Sequence, residues 1–319
     1  MSSLNYSIPV HGPFRLDLTV RVLRRLSTNL VDVLTPDGEY LRLLGDAVEP
    51  VVVRASQPGA GTLTITIQGD RHAHPVLVAM VKRILGVDTN LGGFYRAASG
   101  ITWLDPLVRR MRGVKPPRYP SLWEACVNAV VFQQISLAAA SAIVSRFTVA
   151  LGEPLECDGV RLYRFPGPAQ VLGSDRTVLR SAGLSDTKLA TLRRVGDALA
   201  DGSLSEAELE QLPSPQAAAL LRNIKGIGPW TAAVILLRGL GRLDVFPAND
   251  SSVVRNLALV GGSSPGDLKA GLEALGTERG MLYYHLLLAR LEAGIEGIQA
   301  LAQTTGRERS EEPLTADPK

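Results

Sequence analysis

The stretch from Leu220 to Asp250 reads LLRNIKGIGPWTAAVILLRGLGRLDVFPAND. An apolar run at helical spacing breaks at Gly226-Ile227-Gly228 and resumes at Pro229, so the spacing predicts two helices joined by a tight glycine turn. Glycine tolerates positive φ and lets a second chain come close. Proline suits the first turn of a helix, where its missing N–H is not needed. The first N–H groups of the restarted helix have no partner within it and lie at the positive end of its dipole. An anion, a phosphate above all, fits there. Ile224 and Ile227 are expected to lie under the turn and stiffen it. The segment ends on a carboxylate, Asp250, three residues after Pro247.

The rest of the chain changes character near residue 72. Before it, Phe14–Val20 and Thr62–Ile67 alternate apolar and polar residues, and Val31–Leu34 and Tyr40–Leu44 flank the turn Pro36-Asp37-Gly38. These read as four or five short strands in one antiparallel sheet. Beyond it the period is helical: 75–85, 122–131, 137–151, a helix capped at Ser185-Asp186, and further helices at 205–212, 215–222, 253–260, 265–275 and 281–293. The fold class is therefore α+β, a small N-terminal antiparallel sheet followed by an all-helical body. Expected boundaries are 1–103 for the sheet region with flanking helices and 104–302 for the helical region, with its hairpin of helices at 216–240. Residues 303–319 form a polar tail expected to be disordered. Residues 104–118 carry Arg109, Arg110, Arg112, Lys115 and Arg118 with no acid after Asp105. They read either as a solvated linker or as a phosphate-facing strip.

Composition narrows the function classes. The 319 residues are 45% hydrophobic and 20% charged, with formal net charge +3. That is ordinary globular composition and permits nucleic acid without demanding it. Two cysteines, Cys126 and Cys157, are too few for a four-thiolate cluster and fit a reducing cytoplasm. No signal-peptide pattern and no membrane-length apolar run is present in the sequence. His72 and His74 have no acidic or thiol partner nearby, so no metal site is expected there.

Leu220–Ala233, the approach Asp244-Val245-Phe246-Pro247-Ala248-Asn249-Asp250, and the turn Gln133-Gln134-Ile135-Ser136 together resemble the helix-hairpin-helix DNA glycosylases. With a β region ahead of the helices, the chain is most similar to the DNA-3-methyladenine glycosylase II branch. The resemblance covers roughly residues 12–300. It implies a monofunctional enzyme of base excision repair that acts on double-stranded DNA carrying damaged bases, as a monomer and away from any membrane. The bases expected are alkylated, of the 3-methyladenine and 7-methylguanine type.

The resemblance also assigns roles. Asp250 would be the catalytic carboxylate, and it would also cap the helix that follows. Breaking an N-glycosidic bond makes an oxocarbenium-like sugar, and one carboxylate can stabilise that cation and hold the attacking water. Trp230 stands where bifunctional relatives carry a Schiff-base lysine and has no amine. It would stack on the extruded base or else be a core indole. Tyr283 and Tyr284 would supply aromatic surface in place of a ring missing at Val234. Gln134, with Ile135 as substitute, would wedge into the gap left by the base, or the pair would form an ordinary buried turn. Gly226, Ile227, Gly228 and Thr231 would meet the DNA backbone. The carbonyls of Arg222, Ile224 and Ile227 would hold a structural monovalent cation, and no cofactor is required. Two other readings stay open: a glycosylase for deaminated or other damaged purines, and a DNA damage-binding protein without catalysis.

Overall fold

The computed structural model describes residues 3–45, 50–68, 74–247, 250–261 and 264–308. Strands β1 (Ser3–Pro9), β2 (Val33–Leu34), β3 (Tyr40–Gly45), β4 (Pro50–Gly59) and β5 (Thr62–Gln68) form one antiparallel sheet in the order β1-β5-β4-β3-β2. The alternation in β5 buries Leu63, Ile65 and Ile67 on one face. The N-terminal segment, unassigned in the sequence reading, supplies an edge strand, with Ser3 opposite Gln68 and Pro9 opposite Thr62.

Phe14–Val20 is not a strand. Its residues enter helix α1 (Leu16–Arg24), which buries Leu16, Leu18, Thr19, Val20, Val22 and Leu23. Alternation over seven residues also places Leu16 with Val20, and Leu18 with Val22, at i,i+4. Burial on both faces left the short run ambiguous until its neighbours were placed.

The helical body contains α2 (His74–Leu85), α3 (Gly92–Ala98), α4 (Asp105–Arg110), α5 (Leu122–Val131) and α6 (Leu137–Leu151). A two-stranded hairpin follows, β6 (Pro154–Cys157) with β7 (Val160–Tyr163). Then come α7 (Pro168–Leu172), α8 (Arg176–Ser181), α9 (Asp186–Ala200), α10 (Glu206–Gln211), α11 (Ser214–Arg222), α12 (Pro229–Arg238), α13 (Ser251–Ala258), α14 (Pro265–Leu275) and α15 (Gly280–Glu308). α15 runs into the stretch expected to be disordered from Gln303, and residues 309–319 lie outside the described residues.

Residues 104–118 are not a free linker: Asp105–Arg110 form α4, and burial takes Lys115 out of any phosphate-facing strip. Lys115 is buried, and its ammonium donates to the carbonyls of His11 (3.0 Å) and Thr89 (2.6 Å). Arg109 turns back to Asp105, Arg110 pairs with Glu292, and Arg118 donates to the carbonyl of Gly239. Charge runs read as exposed in a sequence, but here Lys115 is spent inside the protein, while Arg109, Arg110 and Arg112 stay exposed.

One hydrophobic cluster runs from Val53, Ile65 and Ile67 in the sheet through Val81 and Ile84 of α2 into Val130, Leu192 and Ile235 of α5, α9 and α12. The sheet is thus fused to the helices. Arg42 of β3 reinforces the seam from within, lying 2.5 Å from both Asp32 and Glu124. Phe94 is core, and the Tyr95 hydroxyl accepts from Gly113 N–H, so both serve packing. Both cysteines are free and buried, and burial pushes the Cys126 thiol up to about 12. His74 is buried with Nδ1 2.9 Å from the Tyr6 hydroxyl, and His72 lies outside the described residues. Among the described residues no helix is long and apolar enough to cross a membrane.

Candidate nucleic-acid interface and active site

α11 and α12 meet at the glycine turn as the sequence spacing predicts, with Pro229 in the first turn of α12. The two glycines do different work. Gly226 has φ +107°, in the region that favours glycine. Gly228 is extended (φ −89°, ψ −179°), and a β-carbon on it would meet nothing within 4 Å. Gly226 therefore makes the turn, and Gly228 leaves room above it. Ile227 is buried and fixes the turn from below, so only its backbone faces outward. Thr231 is buried as well. Its hydroxyl accepts from the Gln133 amide (2.8 Å), leaving its backbone N–H as the group offered at the helix start. The Ile224 carbonyl accepts from Ile227 N–H (3.0 Å) and so helps close the turn.

Asp250 opens α13. Its backbone N–H donates to the Pro247 carbonyl (3.2 Å), and its carbonyl accepts from Val253 N–H (2.9 Å), the geometry of a residue at a helix N-terminus. The side chain is partly exposed. The approach is pinned at several points. Arg242 donates to the carbonyls of Leu209, Glu210 and Leu212. Asp244 accepts from the Ser214 hydroxyl (3.0 Å), and the Leu243 carbonyl accepts from Gly280 N–H (2.7 Å). Ala248 and Asn249 lie outside the described residues.

Trp230 is half-buried against the main core, and its indole N–H is buried without a hydrogen-bond partner among the described residues. Buried indoles ordinarily find an acceptor. The two tyrosines of α15 separate. Tyr284 is fully buried, and its hydroxyl donates toward the carbonyls of Leu237 (3.1 Å) and Pro117 (3.3 Å), which makes it a core residue. Tyr283 is only partly buried and sits beside the guanidiniums of Arg25 and Arg238.

The turn between α5 and α6 projects outward. Gln134 is exposed with φ +56°, unusual for a residue with a side chain, and Ile135 is 38% exposed. An ordinary buried turn is thereby ruled out. Ser136 caps α6 by accepting from Ala139 N–H (3.1 Å).

Sequence reading missed the residues around this frame. Arg25, itself at φ +62°, is buried and stacks its guanidinium 3.7 Å from the Phe132 ring centre. Arg238 is fully buried over Tyr119. Neither guanidinium has a carboxylate partner within 4 Å among the described residues. Burial, then the charge of Arg238, pulls Arg25 below its usual pKa. A cleft lined by Arg25, Tyr119, Asn128 and Phe132 opens here. Its walls come from elements about a hundred residues apart, and nothing in local sequence joins them.

Comparison with known proteins places this geometry among relatives. The model of a family described as HhH-GPD superfamily base excision DNA repair protein matches residues 127–279. A DNA-3-methyladenine glycosylase of Bacillus subtilis is 28% identical over 184 residues, covering 58% of this chain and 61% of the relative. A probable bifunctional transcriptional activator/DNA repair enzyme AlkA of Mycobacterium tuberculosis is 32% identical over 252 residues, 78% of this chain and 49% of the relative. The chain thus spans less than two thirds of either relative's length. Among solved structures, a 3-methyladenine DNA-glycosylase from Archaeoglobus fulgidus superposes with TM-score 0.75 at 24% identity over 89% of this chain and 98% of that one, a likeness of fold.

Proposed function

The chain belongs to the HhH-GPD superfamily of base excision DNA repair proteins, and from that premise we propose that it is a monofunctional DNA glycosylase that removes alkylated bases from double-stranded DNA. The observation that carries the reading is the pairing of two features on one short segment. One is an open helix N-terminus behind Gly228, and the other is the partly exposed carboxylate of Asp250 on a pinned approach.

The backbone N–H groups at the start of α12 hold a phosphate without reading sequence. The target base cannot be reached within a stacked duplex, so the nucleotide is extruded. Gln134, with Ile135 beside it, fills the gap. Trp230 offers its ring face to the base. As the glycosidic bond breaks, Asp250 stabilises the cationic sugar and orients the water that adds to it. An alkylated purine is already cationic and leaves readily, which relieves the protein of supplying a strong acid. No amine stands at position 230, so no covalent imine forms and the strand stays intact. The carbonyls of Arg222, Ile224 and Ile227 would hold a monovalent cation that stiffens the turn and takes no part in chemistry. The protein would act as a monomer in the cytoplasm.

One observation favours a second reading, a preference for neutral damaged purines. Arg25 and Arg238 form a buried cationic pair beside Tyr283, the tyrosine left on the open side of α15. Such a pair opposes a base that already carries charge and suits one that presents a carbonyl oxygen.

The test is incubation with duplexes carrying single 7-methylguanine, 3-methyladenine-type or hypoxanthine lesions, scoring strand breaks with and without alkali. Base release with breaks only after alkali is expected, and the lesion ranking decides between the two readings. Breaks without alkali would overturn the monofunctional reading. Undiminished release by Asp250→Asn would overturn the role of that carboxylate.

A further inference from the structure

Helix α9 carries three residues, Lys188, Thr191 and Arg194, spaced three apart and therefore on one face. All three reach the elements proposed to engage DNA. The Lys188 ammonium donates to the carbonyls of Val131 (2.8 Å) and Gln133 (3.1 Å) in the turn after α5. The Thr191 side chain packs directly on Gly226. Arg194 donates to the Lys225 carbonyl (3.2 Å). A direct strut joins the same two elements, because the Gln133 amide donates to the Gly226 carbonyl (2.9 Å) and to the Thr191-facing turn's neighbour, the Thr231 hydroxyl (2.8 Å).

A lysine at a helix C-terminus is ordinary capping. Here the ammonium passes beyond the helix to the carbonyl of Gln133, the residue immediately before Gln134. Gln134 holds a left-handed conformation that costs about 1–2 kcal/mol for a residue with a side chain and persists only where its surroundings impose it. Lys188 is part-buried and occupied with protein carbonyls, so it is not itself a phosphate contact.

We propose that Lys188 and Gln133 are positioning residues that lock the wedge turn to the glycine hairpin across α9, fixing the distance between the anchored phosphate and the vacated base position. The proposal rests on the glycosylase reading. Its consequence is specific: the lock matters where a paired base has to be displaced and matters little where the base is unpaired, because extrusion then costs less.

The experiment compares Lys188→Met and Gln133→Leu with the unmodified protein under single-turnover conditions. Two duplexes carry the same lesion, one opposite its normal partner and one opposite a tetrahydrofuran abasic analogue. Melting temperature is followed to confirm folding, and Gln133, half-exposed, provides the variant less coupled to the fold. The expected result is a loss on the order of tenfold to a hundredfold on the paired lesion, with the unpaired lesion within about twofold. Salt dependence of binding should keep its slope, since a lost phosphate contact would lower it by about one. Equal losses on both duplexes, or no loss on either, overturn the proposal. If the unmodified protein frees no base from either duplex, the glycosylase reading fails, and the lock is decided by 2-aminopurine placed beside the abasic analogue. A fluorescence rise that both variants diminish supports the lock, and an equal rise or none overturns it.

Discussion

Thr191 occupies the place that a β-carbon on Gly226 would take. Both its hydroxyl and its methyl crowd that β-carbon position, and the hydroxyl is itself tied to the Thr187 carbonyl (3.0 Å). The glycine turn is therefore shaped from outside, by a helix some thirty residues earlier.

This contact separates the two glycines experimentally. Gly226→Ala forces a side chain into a left-handed conformation and against Thr191, at a cost of about 2 kcal/mol or more. Urea unfolding should show that loss. Gly228→Ala meets open space in an extended conformation and should leave stability within about 0.5 kcal/mol. Its DNA affinity should fall nonetheless, because the new methyl stands where a phosphate approaches. Unchanged affinity in Gly228→Ala would place the DNA elsewhere.

Trp230 combines a ring face with an unpaired N–H, and the two can be separated. Trp230→Phe keeps the face and removes the donor. The N–H lies in the ring plane and is buried, out of reach of a base stacked on the face, so excision should stay within about threefold. Trp230→Ala should lose further activity, since stacking on one base is worth about 1–3 kcal/mol. A loss of about tenfold or more in the Phe variant would assign the N–H a part in recognition.

Lys115 tests the reassignment of the basic stretch. The buried ammonium donates to two carbonyls, and burial pulls its pKa below the ordinary lysine value. Lys115→Met should alter stability while leaving the salt dependence of DNA binding unchanged. A shallower slope by about one would restore Lys115 to the interface.

His285 gives the fold a calculable response to acid. Burial lowers its pKa to about 4, while Nδ1 lies 2.9 Å from the Met281 carbonyl and the ring packs 5.0 Å from Phe94. The unfolded chain binds this proton near pH 6.5 and the folded one only near 4, so the unfolded state carries more protons between those values. Stability is complete above about 6.5 and is lost as pH falls toward 4. Between pH 7 and pH 5 the loss from this group is about 2 kcal/mol. Urea titrations of His285→Leu at both pH values should show a pH difference smaller by that amount.

The sequence by itself determined the order of sheet then helices, the break at Gly226–Gly228, the cap at Ser136 and the carboxylate at Asp250. Each rests on local rules: the period of apolar residues, the conformational freedom of glycine, and the preference of serine for helix starts. Tertiary structure decided the rest. Residues 16–20 of the alternating run became helix because both faces found a core, a fact that lies outside that run. Lys115 was buried because two distant carbonyls were there to receive it. Tyr284 went to the core and Tyr283 to the open side, although they are neighbours in sequence, because a helix turns about 100° between them. The buried pair Arg25 and Arg238 and the brace from Lys188 to Gln133 join residues 213 and 55 positions apart, and no periodicity or motif reports such pairings. Local chemistry marks which residues can act on DNA, and long-range packing sets the frame in which they do so.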